Sequence, residues 1–121
     1  MLQTAEERTE VMKMPTKVIV DSKLCGFKTV VTAVSDGQST KVKLDSGCPK
    51  IKKYGENLSE LSKDDLYRAE TSQIFLRARE SRLTPTCVVP VAVMNACWVE
   101  NQLISKSLAL SNKELKIIFD E

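Results

Sequence analysis

Three segments in the first half of the chain carry the alternation of hydrophobic and polar residues that is typical of β-strands. They cover residues 16–22, 27–35 and 40–45. In the third segment Val42 and Leu44 alternate with charged residues, so one face of the strand is buried and the other is solvated. Asp36-Gly37 precedes this segment, and the dipeptide accepts the positive φ angles of a hairpin turn. The pattern predicts an antiparallel sheet that contains a β-hairpin.

After the third strand the hydrophobic residues follow the three-to-four-residue spacing of helices. Pro49 starts the first helical pattern, and Ser62 is a predicted N-cap with acidic residues in the turn that follows it. Residues 74–82 either continue that second helix or begin another. Pro90 suits the first turn of the longest helix, which covers about residues 90–102. This helix is apolar around most of its circumference and is therefore predicted to be central and buried.

The chain is predicted to have an α+β fold. We expect a three-stranded antiparallel sheet with a β-hairpin, three or four helices on one face, and a short C-terminal strand at residues 115–119. Residues 1–15 are predicted to form a flexible N-terminal arm, and residues 16–121 a single α+β domain. No linker or internal repeat interrupts the second region, and 121 residues are enough to bury a core.

Composition and charge exclude several classes of function. The formal net charge of +2 is too small to indicate binding of nucleic acid. No apolar run reaches the roughly 20 residues of a membrane span, and residues 1–14 lack the apolar core of a signal peptide, so we expect a cytoplasmic protein. The sequence has no histidine, which removes a Ser-His or Cys-His catalytic pair and histidine-ligated zinc.

Three of the cysteines lie at predicted junctions between elements. Cys25 precedes Gly26 at the break between two strands, where it is either a small buried residue or a group that approaches a ligand. Cys48 and Cys87 each lie ahead of a proline-started helix, whose positive end favours a thiolate and lowers its pKa. The alternative interpretation of Cys48 is a turn residue without a chemical role.

The fourth cysteine, Cys97, lies inside the central helix and is predicted to be a core residue. The helical path between Cys87 and Cys97 spans roughly 10 Å, whereas zinc ligands lie about 2.3 Å from their metal, so these two do not share a mononuclear site. The arrangement that remains is Cys25, Cys48 and Cys87 converging to bind zinc or an iron–sulfur cluster, with a fourth position open. Two aspartates near the strand ends are candidates to complete the site: Asp21 and Asp45.

Four short blocks of sequence carry a resemblance to a known family. They are Cys25-Gly26-Phe27-Lys28-Thr29, Gly47-Cys48-Pro49-Lys50-Ile51, the block from Thr84 to Val91, and Asn95-Ala96-Cys97-Trp98. The Cys-Gly-Phe-Lys-Thr and Thr-Pro-Thr-Cys motifs are the more specific parts. Over about residues 17–119 the chain resembles a family of small uncharacterised proteins of methanogenic archaea and other strict anaerobes. The resemblance implies an anaerobic setting that suits thiolate-bound iron, and it implies no established activity.

Three hypotheses for function follow, and none of them involves nucleic acid or a membrane. The first is a cytoplasmic accessory protein that binds zinc, iron or an iron–sulfur unit through Cys25, Cys48 and Cys87, in delivery or assembly. The second is a non-catalytic protein that binds a protein partner or forms a homodimer, with residues 115–119 adding to the sheet edge of a neighbour. The third is a thiol redox protein. The sequence does not decide whether the protein is an enzyme.

Overall fold

Three β-strands open the part of the chain that the structure describes, residues 15–121 of a computed structural model. They are β1 (Thr16–Asp21), β2 (Lys28–Ser35) and β3 (Thr40–Ser46). The strands form one antiparallel sheet in the order β1-β2-β3, in which Val18 lies opposite Val31 and Val31 lies opposite Leu44. Gly37 has a φ angle of 97° in the turn between β2 and β3. The predicted hairpin is therefore confirmed.

Five helices follow the sheet in the described residues. They are α1 (Pro49–Asn57), α2 (Lys63–Tyr67), α3 (Gln73–Glu80), α4 (Val89–Glu100) and α5 (Lys106–Asn112). Ser62 caps α2 as predicted, because its hydroxyl accepts the Asp65 N–H and the Asp65 carboxylate accepts the Ser62 N–H. The same carboxylate accepts the Gln73 N–H at the start of α3, at 3.0 Å. The two segments are therefore separate helices, and the total exceeds the three or four predicted.

The core lies between the sheet and the helices that cover one of its faces. α4 packs on β1 and β2, and α1 packs on β3. Buried residues alternate along β2, so that Val31 and Ala33 contribute to the core together with Val93 and Ala96 of α4. Trp98 is half-buried on α4, and its indole N–H donates to the Leu66 carbonyl oxygen at 2.8 Å. The α+β fold with a central, largely buried helix is confirmed.

Helix α1 lies close to the sheet at Gly55. A Cβ atom at this position would lie 3.2 Å from the Cβ atom of Leu44 in β3. Glycine weakens a helix, but here the missing side chain lets the two backbones approach. The start of α1, which follows Cys48, is thereby held against the sheet.

The C-terminal end of α4 is hydrogen-bonded to the ends of all three strands. Glu100 accepts the Thr16 hydroxyl of β1 at 2.8 Å and the Ser35 N–H of β2 at 3.0 Å. Asn101 donates to the Thr40 hydroxyl oxygen of β3 at 2.9 Å. These bonds fix the position of α4 over the sheet, and with it the position of the segment that carries Cys87.

No strand is formed at residues 115–119, contrary to the prediction. Residues 113–121 have no regular structure, and Leu115 is 82% and Phe119 77% exposed. A strand is stable only when a neighbouring strand shares its backbone hydrogen bonds, and no strand of residues 15–121 pairs with this segment. The N-terminal arm predicted over residues 1–15 lies outside the described residues except for Pro15.

The helices of residues 15–121 do not include one whose length and apolar content would let it cross a lipid bilayer.

Candidate functional site

A cavity of about 590 Å³ is lined by Cys25, Cys48 and Cys87, and we call it the thiol cavity. It lies where three segments meet: the connection between β1 and β2, the start of α1, and the segment before α4. The rest of the lining is mainly apolar, with Val20, Leu24, Phe27, Pro49, Ile51, Leu83, Val88 and Val89. A volume of this size falls within the range of small-molecule sites.

Cys25 lies in a short turn that connects β1 to β2. The turn is closed by two backbone hydrogen bonds of Ser22, which accepts the Gly26 N–H at 2.9 Å and donates to the Phe27 carbonyl oxygen at 3.3 Å. Cys25 is exposed, and its thiol lies 3.8 Å from the Ser22 carbonyl oxygen. A hydrogen bond with the Ser22 side chain, and then one with the Phe27 backbone, lower the pKa of the Cys25 thiol below its ordinary value. This cysteine is therefore the most accessible of the three and has a stabilised thiolate.

Cys48 is the N-cap residue of α1 and is half-buried. Its backbone N–H donates to the Ser46 hydroxyl oxygen at 3.2 Å, and that oxygen also accepts the Thr29 hydroxyl of β2 at 2.9 Å. The Cys48 side chain makes no capping hydrogen bond. The backbone of Cys48 is thus fixed relative to the sheet, while its thiol faces the cavity instead of satisfying the helix start.

Cys87 is half-buried in the turn that leads into α4. Its N–H donates to the Thr84 carbonyl oxygen at 2.9 Å. Burial raises the pKa of the Cys87 thiol above its ordinary value, and negative charge at Cys25 and Cys48 raises it further. A hydrogen bond with the Val89 backbone acts in the opposite direction but does not outweigh burial. The expectation that the helix start would lower the pKa of Cys87 is therefore wrong, because desolvation dominates.

The fourth cysteine does not reach the thiol cavity. Cys97 is fully buried in the core of the sheet and helices, as predicted. Burial, and after it the negative charge of Glu100, raises the pKa of its thiol to about 12. Cys97 is a packing residue and provides a control for experiments on the other three.

The three cysteines share a cavity without forming a preassembled metal site. Among residues 15–121, no group of three or more cysteine, aspartate or glutamate side chains is arranged to hold a metal ion. Asp21 and Asp45, the predicted candidates for a further ligand, do not line the cavity. The lining thiols therefore need to move if they are to bind a single ion together.

Several lining residues were not among the predicted site residues. Within the described residues, Lys50 supplies the charged side chain of the cavity lining, and Thr84 and Thr86 supply hydroxyl groups. Phe27 lies beside Gly47, where an added Cβ atom would be 3.5 Å from the phenylalanine ring. All four residues are in the cysteine-containing motifs, so the signal was their proximity to Cys25, Cys48 and Cys87 in sequence.

One protein family matches most of the chain. The family of unknown function DUF6951 matches residues 16–112. The chain belongs to this family. The DUF6951 match spans β1 to α5 and contains all four cysteines, and it leaves out residues 113–121. The chain matches none of the curated proteins and none of the solved structures compared with it.

Proposed function

We propose that this DUF6951 protein binds a thiophilic metal ion, zinc or iron, in the thiol cavity, with Cys25, Cys48 and Cys87 as ligands. The observation that carries the proposal is that three cysteines from three separate junctions line one cavity. Soft thiolate ligands favour zinc, copper(I) and iron–sulfur units over hard cations such as magnesium. An iron–sulfur unit is the alternative cargo, and the anaerobic setting implied by the sequence resemblance suits it.

Binding requires the Cys25 turn to close towards the other two thiols. Cys48 and Cys87 have backbones held by hydrogen bonds to Ser46 and Thr84, whereas Cys25 is exposed on a short turn. Gly26, next to it, has a positive φ of 78° and no atom within 4 Å of an added Cβ, so the turn has open space around it. A divalent cation would also offset the mutual repulsion of the thiolates.

Three thiolates leave one coordination position for another group. Closed structural zinc sites use four protein ligands, whereas sites that act on a substrate keep a position open. The cavity of about 590 Å³ is much larger than a metal ion, so an apolar ligand has room beside it. This arrangement suits delivery of a metal or assembly of a metal centre better than a purely structural role.

Cobalt(II) titration of the anaerobically purified protein tests the proposal. We expect one equivalent to bind and to produce thiolate-to-cobalt charge-transfer absorption. Cys25→Ser, Cys48→Ser and Cys87→Ser should each weaken or abolish this absorption, while Cys97→Ala, the matched control, should keep it. Less than half an equivalent of cobalt, with no loss on substituting any of the three, would overturn the proposal.

A second candidate function, thiol–disulfide exchange, is favoured by the exposure of Cys25 and its stabilised thiolate. The Cys25 thiolate would attack a partner disulfide, forming a mixed disulfide and releasing the other partner sulfur as a thiolate. Cys48 or Cys87 would then attack the Cys25 sulfur, forming an intrachain disulfide and releasing the partner as a dithiol. After reaction with oxidised glutathione, a variant that lacks the resolving cysteine, Cys48 or Cys87, should retain the mixed disulfide between Cys25 and glutathione. The wild-type protein should resolve it. Equal retention in both would exclude this function.

A further inference from the structure

The C-terminal segment, residues 113–121, exposes apolar side chains that have no partner in the part of the chain described by the structure. Ile117 is 73% and Ile118 76% exposed, with Leu115 and Phe119 exposed to a similar degree. Helix α5, which precedes the segment, has no buried residue of its own. Scattered exposed apolar residues are common, but four within five positions form a contiguous patch that is typical of a binding segment.

Strand β1 offers an unpaired edge. It pairs with β2 on one side, and no strand of residues 15–121 lies on its other side. The face of β1 away from the helices carries Lys17, Ile19 and Asp21, and Ile19 is 66% exposed. An edge strand of this kind presents backbone N–H and C=O groups that another strand can pair with.

We propose that residues 116–120 of one copy of this chain pair in antiparallel orientation with β1 of a second copy, with Ile118 opposite Ile19. In an antiparallel pair, the residue numbers of two directly opposite residues always add up to the same sum. The five facing pairs are Lys116 with Asp21, Ile117 with Val20, Ile118 with Ile19, Phe119 with Val18, and Asp120 with Lys17.

The pairs on the outer face of β1 are complementary in both charge and polarity. The apolar pair of Ile118 and Ile19 has an ion pair on each side, and opposite charges or apolar residues directly across two strands stabilise a sheet. In the isolated chain Lys116 forms an ion pair of 3.1 Å with Glu114, in which both side chains are largely exposed. An exposed pair of this kind contributes little, so Lys116 can exchange its partner at small cost.

The pairs on the helix-covered face are apolar. Val20 is buried and Val18 is partly buried against the core, and the incoming Ile117 and Phe119 would extend this apolar surface at the edge of the sheet. Both faces of β1 are therefore matched by the same five-residue segment.

Other registers lose this match. A parallel pairing centred on the same isoleucines would place Lys116 opposite Lys17 and Asp120 opposite Asp21, with like charges facing each other. A shift of the antiparallel pairing by one residue in either direction would turn both Lys116 and Asp120 towards the apolar face of β1, because side chains alternate along a strand. A shift by two residues would place Ile19 opposite Lys116 or Asp120. The sequence thus selects one register.

The strand that matches residues 116–120 is β1 of this same sequence, but the chain's own C-terminal segment does not pair with its β1. The partner is therefore a second copy of the chain. The backbone hydrogen bonds of the segment are local: the Lys113 N–H donates to the Ala109 carbonyl oxygen, and the Glu114 N–H donates to the Asn112 carbonyl oxygen. If each of two copies gives its segment to the β1 of the other, the exchange is reciprocal and closes a symmetric dimer. The proposed pairing involves no cysteine, although Val20, which faces Ile117, also lines the thiol cavity.

Light scattering and amide hydrogen exchange on the full chain test the proposal. We expect a mass of twice 13.5 kDa at high concentration, with slowed exchange in both β1 and residues 116–120. A monomer without protection of residues 116–120 would overturn the proposal. A monomer in which residues 116–120 are protected from exchange would show that they pair with the chain's own β1. Protection of β1 alone would show that another segment pairs with this edge. Either outcome overturns the proposal that the partner is a second copy.

Charge reversal tests the register. Lys17→Asp and Asp120→Lys should each weaken the dimer by roughly tenfold to a hundredfold, because two like-charged pairs form in each symmetric dimer. The double variant should recover most of the wild-type affinity. Lys43→Asp, an exposed lysine on the same face but in β3, is the matched control and should leave the affinity unchanged. A dimer that is insensitive to both single reversals would use a different interface and would overturn the proposed pairing.

Discussion

The hydroxyl of Tyr54 donates a hydrogen bond of 2.8 Å to the carbonyl oxygen of Ile74, and both residues are fully buried. The bond joins α1 to α3 across the core. Burial raises the pKa of Tyr54 above its ordinary value, with smaller contributions from Cys97 and Cys87, so its hydroxyl stays protonated and can donate. Tyr54 thereby fixes the helix whose start carries Cys48.

Replacing Tyr54 by phenylalanine should lower the free energy of unfolding by about 1 kcal/mol, because the ring still packs but a buried hydrogen bond is lost. Denaturant unfolding measures the change. Tyr67→Phe is the matched control, since Tyr67 is 59% exposed and its edge contact with the Trp98 ring survives the substitution. Equal effects of the two substitutions would contradict a special role for the Tyr54 hydroxyl.

Gly55→Ala should also destabilise the protein, although alanine is the better helix former. The gain in helix propensity is about 1 kcal/mol, whereas overpacking of a core costs about 1–3 kcal/mol. The added methyl group would lie 3.2 Å from the Leu44 Cβ atom, which is attached to a strand backbone and has little freedom to move. We expect a net loss of roughly 1 kcal/mol in chemical denaturation, and a gain would show that β3 yields. Lys53→Ala, at an exposed position of α1, should change stability by less than about 0.5 kcal/mol.

Asp36 should make part of the stability depend on pH. Its carboxylate accepts the Ser39 and Gln38 N–H groups, each at 2.9 Å, and these bonds lower the pKa of Asp36 below its ordinary value. The stabilisation is present above the unfolded-state pKa and is lost as the pH falls through the lower folded-state pKa. Asp36→Asn keeps an oxygen acceptor but removes the charge. Melting temperatures should therefore differ near neutral pH and converge in acid, and a constant difference at all pH values would contradict this assignment.

Cys25, Cys87 and Cys97 should react with iodoacetamide at different rates. Cys25 should react first, because it is exposed and has a lowered pKa, and Cys87 should react more slowly because burial raises its pKa. Cys97, with a pKa of about 12 and no exposed surface, should react only when the protein unfolds. Time-resolved mass spectrometry of peptides gives the order. Rapid labelling of Cys97 under native conditions would show that the core opens readily.

The sheet and the central helix could be predicted because their signals are local. Asp36-Gly37 specifies a turn by its own conformational preferences. Pro90 marked the predicted start of the central helix, and α4 begins one residue earlier, at Val89. The C-terminal strand could not be predicted in the same way. The isoleucines and the phenylalanine at 115–119 favour an extended conformation, but a strand also needs a neighbouring strand to share its backbone hydrogen bonds, and no strand of residues 15–121 pairs with this segment.

The candidate site was predictable in part. The position of Cys97 in the core followed from helix geometry. Cys25, Cys48 and Cys87 line one cavity but form no metal-ligand group within residues 15–121, so their convergence on a metal stays a prediction. The raised pKa of Cys87 was not predictable, because it depends on how far the packed neighbours exclude water from the thiol. A sequence shows that a helix end is near, and only the fold shows how much solvent is removed.

The carboxylate of Glu100 bonds to residues that lie 84 and 65 positions earlier in the chain. During synthesis, β1 and β2 leave the ribosome long before α4 exists. At about 5–20 residues per second, the interval from Thr16 to Glu100 is roughly 4–17 s. Until α4 is synthesised, the apolar side of β1 and β2 lacks the helix that covers it in the folded protein, so the fold cannot be completed before translation has passed Glu100.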